Sequence, residues 1–80
     1  GPFTPEDVGS RVEVVGVGQG VLKFVGIHAA NGKPRCGIAL DDQLGHHSGT
    51  TKGATYFRCR KKHGVVVAPK KVVRLEHVES

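Results

Sequence analysis

Short runs of valine and other β-branched residues, punctuated by twelve glycines, carry this chain, and no stretch shows the i, i+3, i+4, i+7 apolar spacing of an amphipathic helix. A chain patterned this way buries apolar surface as short strands, so the expected class is all-β. Candidate strands cover residues 11–15, 21–27, 35–41, 55–59, 65–67 and 71–75, each rich in β-branched or aromatic residues and bounded by turn formers. Six such strands predict a small twisted sheet or barrel. Period-two alternation places Val12 and Val14 opposite Arg11 and Glu13, and Cys36, Ile38 and Leu40 opposite Arg35, Gly37 and Asp41. The apolar sets should form the core. Turns are expected at 16–20 (GVGQG) and 30–34 (ANGKP), the second carrying an Asn-Gly pair that tolerates positive φ. Residues 42–54 form the one long connection without a strand pattern, and a long ordered loop on a small rigid scaffold is where function concentrates.

Eighty residues allow one small domain and no second core. Twelve Lys and Arg against seven Asp and Glu give a net charge of +5, which favours an acidic partner. No apolar run approaches the roughly 20 residues that span a bilayer, so no membrane partner is expected. Gly1-Pro2 resembles the remnant of a cleaved tag, and nothing after it reads as a signal peptide. Cys36 and Cys59 lie in strand-like apolar segments, where a thiol behaves as a small buried hydrophobe; a disulfide is not required, and a reducing compartment is expected.

The motifs exclude more than they assign. GVGQG has the wrong spacing for a dinucleotide loop and is followed by a strand pattern. His46, His47 and His63 with the two cysteines show neither C-x-x-C nor H-x(3–5)-H spacing, so no metal site is expected. Ser48, Cys59 and His63 lack any sequence feature bringing a nucleophile, a base and an orienting group together, so no catalytic residues and no cofactor are expected. The RKKH that follows Cys59 would lower its thiol pKa if the group were exposed, but its position on a strand predicts core packing.

Larger pieces carry a family resemblance. VGSRVEVVGVGQGVLKFVG, followed by GKPRCGIALDDQLGHHSGTTKGATYFRCRKKHGVVVAPKKVVRL, resembles the CAP-Gly domain, the glycine-rich module of cytoskeleton-associated proteins. The specific pieces are G-x-R-V at the first strand, G-I-x-L-D at 37–41, L-G-x-x-x-G at 44–49, G-x-x-Y-F-x-C at 53–59 and H-G-V-x-V-x-P-x-K-V at 63–72. The resemblance implies a compact antiparallel β-sheet or SH3-like barrel over residues 8–75, with 1–7 and 76–80 as flexible flanks. It implies a non-enzymatic recognition module of a larger microtubule-associated, centrosomal or ciliary protein, cytoplasmic and cytoskeletal. Its partners would be tubulin and microtubules, or end-binding and linker proteins with acidic C-termini ending Glu-Glu-Tyr or Glu-Glu-Phe.

The family's signature loop, Gly-Lys-Asn-Asp-Gly, falls on Gly45, His46, His47, Ser48 and Gly49, which makes this loop the expected peptide-capture site. Glycine backbone would approach the ligand while polar groups take a chain-terminal carboxylate. The implied peptide-binding set adds Arg35, Lys52, Gly53, Arg58 and Val66, with Phe24, Leu22 or Tyr56 completing an apolar slot and Arg60, Lys61 and Lys62 adding to the positive field. The chain departs from the pattern at five positions: His46 for Lys, His47 for Asn, Ser48 for Asp, Arg35 for Trp and Val66 for Phe. If His46 or His47 faces a carboxylate, protonation below about pH 6.5 should strengthen binding. Two other readings stay open: the same fold binding an internal protein surface without tail recognition, and nucleic-acid binding through the basic face. Four aromatic residues are too few for a base-stacking platform, so nucleic acid is not the expected partner. The isolated domain is expected to be monomeric.

Overall fold

A computed structural model describes residues 3–28 and 32–75. Among them there is no α-helix, and no helix long and apolar enough to cross a membrane. Seven strands form: β1 (Arg11–Val14), β2 (Gly18–Ile27), β3 (Pro34–Leu40), β4 (Thr50–Thr51), β5 (Ala54–Thr55), β6 (Gly64–Val67) and β7 (Val72–Arg74). Five of them make one antiparallel sheet in the order β6-β3-β2-β1-β7, and β4 with β5 makes a separate hairpin. Single 3₁₀ turns at Pro5–Asp7 and Pro69–Lys71 flank the sheet, each with proline near its start, where no backbone donor is needed.

β2 is the long spine of the sheet. Its first part pairs with β1 (Arg11 opposite Val21) and most of its length pairs with β3 (Gly20 opposite Leu40, Ile27 opposite Pro34), with a bulge between Leu22 and Phe24. The alternation read from sequence is the burial alternation observed for Val12, Val14, Cys36, Ile38 and Leu40, which are buried and joined in the core by Leu22, Val65 and Val72. Each fully buried Leu or Ile contributes about 1.5–3 kcal/mol relative to an exposed position, before ordering costs. β3 departs from simple alternation because its other face is covered at the centre. Gly37 is buried there, and a Cβ on it would lie 2.5 Å from the Phe57 ring and 2.9 Å from Phe24. Glycine at 37 is what lets the two aromatic side chains pack directly against the strand. Phe57, 9% exposed, thus belongs to the interior.

Several expectations are corrected. β2 begins at Gly18, so the turn expected over 16–20 is confined to residues 15–17, closed by the Val17 N–H donating to the Val14 carbonyl at 2.9 Å. The strand expected over 55–59 ends at Thr55, and residues 56–59 follow an irregular path. The reason is in their backbone bonds: the N–H groups of Tyr56 and Phe57 both donate to the Gly49 carbonyl, and that of Cys59 to Ser48. That segment is paired to a loop instead of a neighbouring strand. Conversely, the connection at 42–54 contains β4 and an isolated bridge between His47 and Gly64. β7 starts at Val72, because Lys71 closes the 3₁₀ turn. Of the ANGKP turn, residues 30 and 31 lie outside the described residues, as does the tail at 76–80. At the other end Phe3 packs against the core under the Arg74 guanidinium, 4.8 Å from its ring centroid, while Arg74 pairs with Asp7 at 3.0 Å.

Candidate functional site

The loop at 45–49 is held by backbone bonds along its whole length. Gly45 N–H donates to the Lys62 carbonyl at 2.7 Å, His46 and His47 N–H both donate to Gly64, and Gly64 N–H returns to the His47 carbonyl at 2.7 Å. Such density of main-chain pairing requires close approach, and the glycines supply it. A Cβ at Gly45 would sit 2.6 Å from the Gly64 carbonyl oxygen; one at Gly49, where φ is +105°, would overlap the Phe57 carbonyl. These glycines therefore serve the packing of the loop on residues 57–64, a reason different from the ligand approach expected of them.

The side chains of the loop divide. His46 is exposed, whereas His47 turns inward, its ring 6.1 Å from that of Phe57 and its Nδ1 accepting the Gly49 N–H at 2.9 Å. An acceptor nitrogen carries no proton, so His47 is neutral with its proton on Nε2. Burial, and secondarily His46, hold its pKa below the ordinary imidazole value. His63 is also committed, Nδ1–H donating to the Leu40 carbonyl at 2.7 Å, which ties the 60–63 turn to the end of β3. Cys59 corrects the expectation of a strand thiol in the core: it is half-buried beside the loop, its Sγ 3.4 Å from the Arg60 carbonyl. Burial pushes this thiol up, and Lys23 offsets that only in part. Cys36 and Cys59 are both free thiols.

After the loop, β4 and β5 form a hairpin closed by Lys52 and Gly53 with φ of +50° and +80°. Positive φ at both central residues is what a two-residue type I′ turn requires. The Thr50 and Thr55 hydroxyls bond across it at 2.8 Å. The hairpin projects Lys52 over a hollow of about 300 Å³ lined by His28, Arg35, His46, His47, Thr51, Lys52 and Val66. Among the described residues the lining contains no Asp or Glu and one aliphatic side chain, Val66. It is a place for anionic groups: two permanent cations and three imidazoles converge, and a carboxylate there would meet donors from several elements.

The structure thus brings together Arg35 on β3, Val66 on β6, and His46, His47 and Lys52 of the sequence-predicted residues, with Gly45, Ser48, Gly49 and Gly53 in the backbone that carries the last three. Phe24 and Tyr56 lie behind the hollow. Their rings are 4.9 Å apart, and Tyr56 stacks on His28 at 5.5 Å. Leu22 is fully buried in the core and offers no surface to a ligand. Arg58 opens on a different hollow, with Lys23, Arg60 and His63. Sequence reasoning missed His28 and Thr51. The available signal for His28 was its parity with Phe24 and Gly26 on β2; for Thr51 it was the turn-forming Lys52-Gly53 pair, which implies a strand on either side.

Comparison with known proteins is consistent across sequence and structure. Residues 8–72 match the CAP-Gly domain family. The chain is 42% identical over 74 residues to dynactin subunit 1 of Xenopus laevis, covering 90% of this chain and 6% of that protein. It is 44% identical over 63 residues to a CAP-Gly domain-containing linker protein 1 homolog of Caenorhabditis elegans, covering 78% of this chain and 7% of that protein. The chain therefore spans less than a tenth of the length of these relatives. Among solved structures, the CAP-Gly domain of human kinesin-like protein KIF13B superposes with a TM-score of 0.83 at 31% identity, over 94% of this chain and 77% of that one. The Bik1 CAP-Gly domain, solved with an ETF peptide from Bim1, gives a TM-score of 0.75 at 24% identity, over 82% and 81% of the two chains.

Proposed function

This chain belongs to the CAP-Gly family, and from that premise we propose that it is the non-enzymatic recognition module of a larger cytoskeletal protein, capturing an acidic C-terminal tail in the hollow beside its 45–49 loop. The observation that carries this reading is the convergence of Arg35, Lys52, His46, His47 and His28 on one hollow with no carboxylate among the described residues of its lining. Its ligand would be a tail of the Glu-Glu-Tyr or Glu-Glu-Phe kind, from tubulin, an end-binding protein or a linker protein. Support comes from the relatives, which include dynactin subunit 1 and a CAP-Gly linker protein, and from the Bik1 domain, whose structure holds a peptide. Arg35 and Lys52 would meet the acidic side chains and accelerate encounter, and the chain-terminal carboxylate would seat against the loop.

The test is titration of the ¹⁵N-labelled domain with a peptide ending Glu-Glu-Tyr, with its C-terminus free and then amidated. Shifts should centre on Arg35, residues 45–49 and Lys52, and amidation should weaken binding several-fold. Lys52→Asn is the informative variant, because Asn tolerates positive φ and keeps the turn while removing the charge. It should lower affinity and flatten the salt dependence. Absence of any shift at millimolar peptide rejects tail capture.

One observation favours the second reading, an internal protein surface as ligand: among the described residues Val66 is the only aliphatic side chain in the hollow. In that case charge reversal at Arg35 and Lys52 together would leave binding to the native partner intact.

A further inference from the structure

Tail capture leaves a second group of cations unused. Lys23 on β2, Arg58 on the irregular path after β5, and Arg60 and His63 on the turn before β6 surround another hollow, of about 290 Å³. It shares no lining residue with the hollow that Lys52 overhangs. Its wall is fixed by short bonds. Cys59 N–H donates to the Ser48 carbonyl at 3.0 Å, His63 N–H to the Arg60 carbonyl at 3.0 Å, and His63 Nδ1–H to the Leu40 carbonyl at 2.7 Å. Nε2 is then the ring nitrogen of His63 left for a ligand.

The charges around this hollow do not cancel. Asp41 is the one carboxylate of its lining among the described residues, and both Asp41 oxygens are taken by the Arg11 guanidinium, Oδ1 at 2.7 Å. Cys59 adds no charge, because its Sγ–H donates to the Arg60 carbonyl at 3.4 Å and burial pushes the thiol's pKa up. Among the described residues Lys23, Arg58 and Arg60 form no ion pair, and all three are exposed. Three permanent cations around one concavity without a counter-charge repel one another, and a bound anion relieves that repulsion.

We infer that this hollow is a phosphomonoester site, in which Lys23, Arg58 and Arg60 hold the phosphoryl group of a phosphoserine or phosphothreonine on a protein partner. A carboxylate brings one charge and two oxygens. A phosphomonoester brings about −1.5 to −2 charge at pH 7 and three acceptor oxygens, which matches two guanidinium forks and an ammonium. The volume is at the lower end of ligand sites, enough for one such group but not for a nucleotide. Among the described residues the lining holds no Phe, Tyr or Trp on which a base could stack. Its apolar members are Ala39 and the 3% exposed Leu40, which offer nothing to insert into a bilayer. A phosphorylated side chain is the source that such a small, polar concavity fits. The site uses none of the side chains that tail capture uses, so each stands without the other.

The experiment titrates the ¹⁵N-labelled domain with three capped tripeptides, glycine on either side of phosphoserine, of serine or of glutamate, and with inorganic phosphate. The phosphoserine peptide should shift Lys23, residues 58–60 and His63 at millimolar concentration, inorganic phosphate should shift the same amides, and the serine peptide should shift none. Arg58→Gln and Arg60→Gln should each weaken the phosphoserine peptide about tenfold and Lys23→Gln several-fold. All three positions are exposed, so the variants should fold, as the amide spectrum verifies. Lys52→Asn should leave this binding unchanged. Equal affinity for the glutamate peptide, shifts centred on Arg35 and residues 45–49 instead, or no shift at all overturns the inference. So does binding to phosphatidylcholine vesicles carrying phosphatidylinositol 4-phosphate, or to single-stranded RNA, that Arg60→Gln abolishes while the phosphoserine peptide causes no shift.

Discussion

His47 should make the stability of this domain depend on pH in a predictable direction. Its Nδ1 accepts the Gly49 N–H at 2.9 Å, and its ring is half-buried against Phe57. Protonation removes the lone pair that accepts, sets N–H against N–H, and places charge where burial disfavours it. The folded-state pKa accordingly lies below the ordinary value near 6.5, from burial first and the neighbouring His46 second. With the unfolded chain binding its proton more readily, stability rises with pH across the interval between the two pKa values. The contribution is therefore complete above about pH 6.5 and is lost as pH falls through the interval below it. One hydrogen bond of this kind is worth about 0.5–1.5 kcal/mol, and about 1 kcal/mol moves Tm by roughly 4–8 °C in a domain of this size.

The control is His47→Asn. The Asn side-chain oxygen, bonded to Cγ as Nδ1 is, can accept from the backbone N–H two residues on, and it does not titrate. Thermal or urea unfolding between about pH 8 and pH 5 should show wild type losing stability relative to His47→Asn as pH falls, with the two nearly equal at the alkaline end. His47→Ala should sit about 1 kcal/mol below both at about pH 8. Other groups titrate in both proteins, so the difference curve isolates His47. Parallel curves, or a wild type that gains on acidification, refute the reasoning. The same geometry bears on the expectation that protonating His47 strengthens tail binding: protonation there costs loop closure.

Further outcomes follow from packing and backbone geometry. Gly49→Ala combines a φ of +105° with overlap on the Phe57 carbonyl, and should cost at least about 2 kcal/mol in urea unfolding, with the largest amide shifts at residues 45–64. Ile38→Ala, fully buried between β2 and β6, should cost about 2–5 kcal/mol by the same assay. Because burial raises both thiols, iodoacetamide at about pH 7 should label the native domain slowly, Cys59 before the fully buried Cys36; rapid labelling of either would contradict the burial described.

Strand faces were legible because a half-buried strand writes its geometry into sequence with period two. Val12, Val14, Cys36, Ile38 and Leu40 needed no further information to be placed in the core. Residues 45–64 were not legible in this way. There the order comes from backbone bonds between irregular segments, Gly45 to Lys62, His47 to Gly64, Tyr56 to Gly49, and such bonds impose no periodicity on side chains. The glycines were visible as residues, but their cause, the approach of Gly64 and the Phe57 carbonyl, lies in tertiary contacts. His28 escaped for a similar reason: its place over Tyr56 depends on how the 56–59 segment folds back across β2, which no local pattern states.

Once the loop is seen to be held by its backbone, the departures from the family pattern sort by what each position does. At His47 the change from Asn keeps an acceptor at the same distance from the backbone, so a substitution that looks drastic by charge is mild by geometry. At Arg35 and Val66 the change from the Trp and Phe that the resemblance implies falls in the lining of the hollow itself. On the proposed tail-capture reading, fold and recognition are then carried by different atoms. The glycines and His47 Nδ1 hold the loop's shape, which leaves Arg35, His46, Lys52 and Val66 free to vary with the ligand. On that division, restoring Trp at position 35 should leave stability nearly unchanged while changing which tails bind, and a loss of folding in Arg35→Trp would show that the two roles are not separable there.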